Sequence, residues 1–191
     1  MVFRIDHNLN FFQRDFFKSQ LFTSETRMLF CDNKRKSNMS ANEVFAKFTG
    51  SWKGTNKLFL SWLPDPLKES DSTLTVSLKA NGQFVAFDYT WAYEGQPQEG
   101  LILLGFDTNS NAAQTVWTDS WHSRNTLMLS DGTVADDGSV SVQGYYKVTD
   151  NPDWVWRTEI VPKDHSLRIV MYNVSPENIE ELAVETEFSR V

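Results

Sequence analysis

Seven turn signals punctuate the chain at short intervals: NG at 81–82, EGQPQ at 94–98, TNSN at 108–111, ADDG at 135–138, TDNPD at 149–153, KDHS at 163–166 and SPEN at 175–178. No stretch between them is long enough for a crossover helix. Parallel neighbours need connections of a dozen residues or more, so the strands must run antiparallel. The runs between the turns read as strands over 51–62, 72–80, 83–93, 99–107, 112–121, 125–130, 138–148, 154–163, 166–174 and 180–189. Asn81-Gly82 is the strongest turn signal, because a two-residue type I′ turn needs positive φ at both central positions. About ten strands in one meander tend to curl and close, which also removes exposed edges. The expected fold is therefore all-β, one antiparallel barrel of about ten strands. A two-sheet sandwich is the alternative. Ahead of the strands, EVFAKF reads as a short helix with Asn42 as its N-cap and Gly50 as its stop.

The first 38 residues are a different text. They hold seven Phe and no Gly, Pro, Trp or Tyr, and seven Lys/Arg against four Asp/Glu, a balance of +3. The rest of the chain carries 11 against 21, a balance of −10, within a formal net charge of −7. An acidic body repels phosphate backbones, which excludes general nucleic-acid binding. Ile5, Leu9, Phe12 and Phe16 fall at helical spacing, so an amphipathic helix that touches a membrane surface is one reading of this extension. A tail without fixed structure is another, and a working protein that begins at Met39 is a third. The expected domain is 39–191. No apolar run is long enough to cross a bilayer, and Arg14, Asp15 and Lys18 break any secretory h-region. Cys31 stands alone, so no intramolecular disulfide and no Cys-rich metal site can form. A cytoplasmic setting follows as the expectation.

GSWKG at 50–54, after a short helix, resembles the G-x-W opening of the lipocalin-like (calycin) barrels. That resemblance implies that Arg190, in the closing EFSRV, stacks across Trp52 and closes the barrel base. The set DYTWAYEGQPQEG (88–100), LLGFD (103–107), TDSWH (118–122), DWVWRTE (153–159) and MYNVSPE (171–177) is similar to the bacterial family known as domain of unknown function 1579. The resemblance covers roughly 43–191. It implies a fold and no reaction. The haem-binding relatives of the calycin barrels use one histidine as iron ligand. This chain lacks their extra glycines after the Trp, and its candidate histidine lies far from the C-terminus, so no cofactor is expected.

A closed sheet points alternate residues inward. One face of 83–93 carries Val85, Phe87, Tyr89, Trp91 and Tyr93. These rings line a cavity for a small apolar or amphipathic molecule, or fill the barrel, or lie in part outside under a loop or partner. Trp117 and Asp119 share a face, as do Trp154 and Trp156, while Arg157 and Glu159 share the opposite one. If the Trp faces point in, the charged pair points out. If they point out, Arg157 lies inside and could clamp a carboxylate. His122 is the one histidine in a motif, with three plain fates: exposed, hydrogen-bonded to Asp119, or packed on Trp121.

No nucleophile elbow, zinc-protease helix or Gly-rich phosphate loop appears. Asp119, Ser120 and His122 cannot converge as a triad on one extended strand. Asp136-Asp137-Gly138 reads as a turn, not as part of a calcium loop. The site expected from sequence comprises Leu58, Tyr89, Trp91, Leu103, Trp117, Asp119, His122, Trp156, Arg157 and Met171. The expected function is non-covalent binding inside the barrel. The alternatives are an enzyme acting through His122, Asp119 or Arg157, and a packed barrel that forms a homodimer through outward Trp and Tyr.

Overall fold

A computed structural model describes residues 41–107, 110–123, 125–148 and 152–191. The readings made for residues 1–38 lie outside them. A short helix, α1 (Ala41–Phe45), continues into a 3₁₀ turn (Ala46–Phe48). Ten strands follow: β1 (Gly50–Phe59), β2 (Leu67–Lys79), β3 (Phe84–Tyr93), β4 (Gln96–Asp107), β5 (Ala112–Asp119), β6 (Met128–Val134), β7 (Val140–Tyr146), β8 (Trp154–Pro162), β9 (Ser166–Val174) and β10 (Glu180–Arg190). Each pairs antiparallel with its neighbour in sequence. β1 pairs with β10, from Trp52 opposite Arg190 to Leu58 opposite Val184, and closes the barrel. The expected all-β meander barrel is the observed one.

Local details depart from the sequence reading. α1 begins at Ala41, so Asn42 is its second residue and not its cap. The tight two-residue turn sits at Glu94-Gly95, both with positive φ, between the paired residues Tyr93 and Gln96. At Asn81-Gly82 the loop is longer. Lys79 pairs with Phe84, and Ala80 joins Asn81 and Gly82 in the left-handed region. β5 stops at Asp119, two residues short of expectation, and β6 runs over 128–134 instead of 125–130.

The interior fills in two layers. At the lower end, α1 and the 3₁₀ turn plug the barrel. Phe45 packs edge-on against Phe87 at 5.5 Å, and Phe48 stacks on Trp52 at 5.9 Å. Both Phe45 and Phe48 are buried apolar rings, which explains why so short a helix holds its place: packing supplies what propensity cannot. Trp52 Nε1 donates to the Phe48 carbonyl at 2.8 Å. The Arg190 guanidinium lies 4.6 Å from the Trp52 ring centre, and it also donates to the carbonyls of Thr49 and Lys47. One arginine thus stacks on the indole and takes up the free carbonyls after the plug.

Two residues expected inside lie outside. Ile102 and Leu104 are the inward members of β4, so Leu103 faces away from the lumen, beside Ala86 and Val116. LILL is apolar on both faces, so alternation gives no phase there. Arg157 is also outward. Its Nε and Nη2 grip Glu180 at 2.8 and 2.9 Å, Nη1 bonds Glu159, and the guanidinium lies 4.2 Å from the Tyr172 ring centre. The group clamps β8, β9 and β10 from outside and leaves Arg157 no way to hold a ligand in the lumen.

Candidate functional site

The upper layer is polar at its heart. Trp91, Trp117, Trp156, Leu58 and Met171 are all buried, and Tyr89 and Tyr93 are packed against the same core. Asp119, the last residue of β5, is 2% exposed and points in among them. Its Oδ2 accepts from Tyr89 Oη at 3.0 Å and from Trp91 Nε1 at 3.1 Å. Its Oδ1 accepts from the amides of Trp121 and His122, at 2.9 and 3.0 Å, and from His122 Nδ1 at 3.0 Å. Tyr89 Oη in turn accepts from Trp117 Nε1 at 2.8 Å. Five donors therefore serve one buried carboxylate, the condition for burying such a group at tolerable cost.

Register explains the reach. Tyr89, Gly100 and Asp119 lie in one row across β3, β4 and β5. A Cβ at Gly100 would fall 2.3 Å from the Tyr89 ring, so only glycine lets the phenol cross β4 to Asp119. The return of His122 is local chemistry. The Asp119 carboxylate takes the amides two and three residues on, an Asx-type turn that ends β5 and bends the chain back. Ser123 reinforces it: its amide donates to the Asp119 carbonyl at 3.0 Å, and its Oγ accepts from the Asp119 amide at 3.1 Å. Hence His122 does not face away from Asp119 as an extended strand would require. The D-S-W-H spelling carries this signal, since aspartate is a favoured turn opener.

The His122 ring sits among four indoles. Ring centres lie 4.6 Å away for Trp121, 5.5 Å for Trp156, 5.6 Å for Trp91 and 5.7 Å for Trp117. Trp117 and Trp156 stack nearly parallel at 5.3 Å. An ionised carboxylate can only accept, so Nδ1 carries a proton and donates to Asp119 Oδ1. Trp156 Nε1 is buried with no hydrogen-bond partner among the described residues.

Electrostatics follows from this arrangement. Burial by itself would push the Asp119 carboxyl up, but the His122 ring and the two amides outweigh it and hold the group below its ordinary value. Burial, and then the Asp119 charge, hold the Tyr89 phenol well above its ordinary value, against the opposing donation from Trp117.

The lumen has little free space. An interior cavity of about 20 Å³ lies between residues that include Asn56, Tyr89, Asp119, His122, Met171 and Thr186. That volume holds roughly one or two waters. The buried pair Thr186 Oγ1 to Asn56 Oδ1, at 3.0 Å, closes one wall and was not expected from sequence. Asn56 lies two and four residues from Gly54 and Trp52 on β1, so inward alternation could have found it. Among the described residues no group of acidic, histidine or cysteine side chains is placed to hold a metal, and no helix is long and apolar enough to cross a membrane.

Comparison with known proteins bears on the family and the fold. The model of a family described as "Protein of unknown function (DUF1579)" matches residues 38–190. No curated protein matches the chain. Among solved structures, the crystal structure of Rv2717c from M. tuberculosis is similar, at 11% sequence identity and a TM-score of 0.56. The similarity covers 80% of this chain and 98% of that one, and at this identity it speaks for the fold alone.

Proposed function

The chain belongs to the DUF1579 family, whose function is unknown, and from that premise we propose that its barrel binds a small apolar or amphipathic molecule at the upper end. The observation that carries this reading is the centre of the upper lumen, where the buried Asp119 carboxylate and four indoles surround the His122 ring. A barrel built only to be packed has little use for an indole N–H such as Trp156 Nε1, buried with no acceptor among the described residues, which leaves about 1–3 kcal/mol of desolvation unrecovered. Such groups suit a surface that meets a ligand's polar atom, while the indoles bury its apolar body.

A cavity of about 20 Å³ does not admit such a molecule unaltered. The ligand enters by displacing Trp121 and His122, which sit on the turn between β5 and β6 and not on a strand. The G-x-W opening and the Arg190–Trp52 contact support a lipocalin-like reading of the barrel, and a bacterial, cytoplasmic setting accompanies it. Native mass spectrometry of the purified protein tests the proposal. One small molecule retained per chain, or saturable binding from a fatty-acid and metabolite library, is the expected result. A bare chain that binds nothing would sink it.

The nearly filled lumen favours one second reading, association of two copies. The outer face of β3 to β6 carries an apolar row, Ala86, Leu103, Val116 and Leu129, in direct cross-strand register. Leu129 is 71% exposed and neighbouring Leu127 68%. This row is aliphatic, and of the outward Trp and Tyr expected to make such a contact Trp62 and Tyr145 are both largely exposed. The same mass spectrum reports subunit number.

A further inference from the structure

The ring of His122 is the present occupant of a cage that has the chemistry of a cation site. Four indoles surround it, and Asp119 Oδ1 holds its Nδ1 at 3.0 Å. Among the described residues around the adjoining cavity there is one carboxylate and neither Lys nor Arg. With the ring withdrawn Asp119 keeps four donors: Tyr89 Oη, Trp91 Nε1 and the amides of residues 121 and 122. Indole rings around a desolvated negative charge attract a compact cation strongly.

The occupant is also removable. His122 lies in the turn between β5 and β6, so its ring can leave without breaking a strand ladder. The Trp156 ring, with its centre 5.5 Å from that of His122, carries a buried Nε1 that has no acceptor among the described residues, a donor free for an oxygen on whatever replaces the ring.

We propose that the cage takes a small organic ammonium compound bearing a hydroxyl or carbonyl oxygen, which replaces the His122 ring between the four indoles and faces Asp119. This rests on the reading of the barrel as an interior binder and names its ligand class. The bound ammonium group contacts indole surfaces and the carboxylate field, and its oxygen accepts from Trp156 Nε1. His122 acts as a tethered competitor that keeps the cage closed when no ligand is present, and its displacement lowers the apparent affinity.

Choline and its neutral carbon isostere, dimethylbutanol, differ in charge at nearly constant shape, and tryptophan fluorescence of the full chain reads both. In the wild-type protein choline is expected to give a saturable change, with the isostere at least about tenfold weaker. His122→Ala removes the competitor and is expected to tighten choline by about tenfold. Asp119→Asn is expected to bring choline down to the level of the isostere. Equal binding of the two compounds would overturn the ligand class and leave interior binding standing. No saturable response to either compound, in the wild type and in H122A alike, would also overturn it. A retained molecule in the mass spectrum then separates this failure from failure of the interior-binding reading. Should H122A not fold, the comparison of choline with its isostere in the wild type decides by itself.

Discussion

Asp119 organises the upper lumen because every atom it offers is taken. Its folded-state value lies below the ordinary one, so the native state binds that proton less readily than the unfolded chain. The associated stability is present above about pH 4 and is lost as pH falls through the lower folded value. Urea midpoints measured from pH 6 to pH 2 should therefore fall, and D119N should show a shallower acid limb. Tyr89 has the opposite sign. Its value is raised, so stability is present below about pH 10 and is lost as pH climbs beyond it. Tyr89→Phe should flatten that alkaline limb. It should also cost about 1–3 kcal/mol at neutral pH, since Trp117 Nε1 loses its acceptor. At Gly100 an added methyl would drive the phenol off Asp119. G100A should cost about as much, and should return the Tyr89 hydroxyl resonance toward an ordinary phenol by NMR. The aromatic row from Val85 to Tyr93 was legible from alternation alone. The glycine window was not, because it depends on which residue β4 sets between Tyr89 and Asp119.

Among the elements, α1 with its 3₁₀ turn and the turn after β5 do most to shape the interior. The plug is eight residues long and holds through Phe45, Phe48 and the stack of Arg190 over Trp52. Phe45→Ala should cost about 3–5 kcal/mol by opening a cavity under Phe87, measured by chemical denaturation. Arg190→Gln, at an exposed position, should cost only about 1 kcal/mol. The contrast checks that packing and not the cation holds the plug. The strand expected over 112–121 ends at Asp119, because from there the Asp119 side chain takes the amides of Trp121 and His122. Local side-chain chemistry overrode periodicity there. At β8, by contrast, the two phases were both readable, and the choice between them was open until neighbouring strands set which face Trp156 and Arg157 occupy.

For the whole molecule, closure is the most distant event in sequence. Trp52 pairs with Arg190, 138 positions apart, and the seam continues to Leu58 and Val184. Loops of that length must close before their contacts stabilise anything, so folding belongs in the range of milliseconds to seconds. Val184→Ala, at the seam, should raise the unfolding rate with little change in the folding rate, as stopped-flow chevrons would report.

The antiparallel order, the count of strands and the grouping of the β3 aromatics on one face follow from the sequence by itself, because turn residues and period-two alternation are local properties. The inward or outward choice at Leu103 and Arg157, the return of His122 and the near absence of free lumen were decided only by tertiary structure. A run that is apolar on both faces has no intrinsic phase. A cavity is the small remainder between a barrel's volume and that of the side chains filling it, and no local pattern encodes that difference.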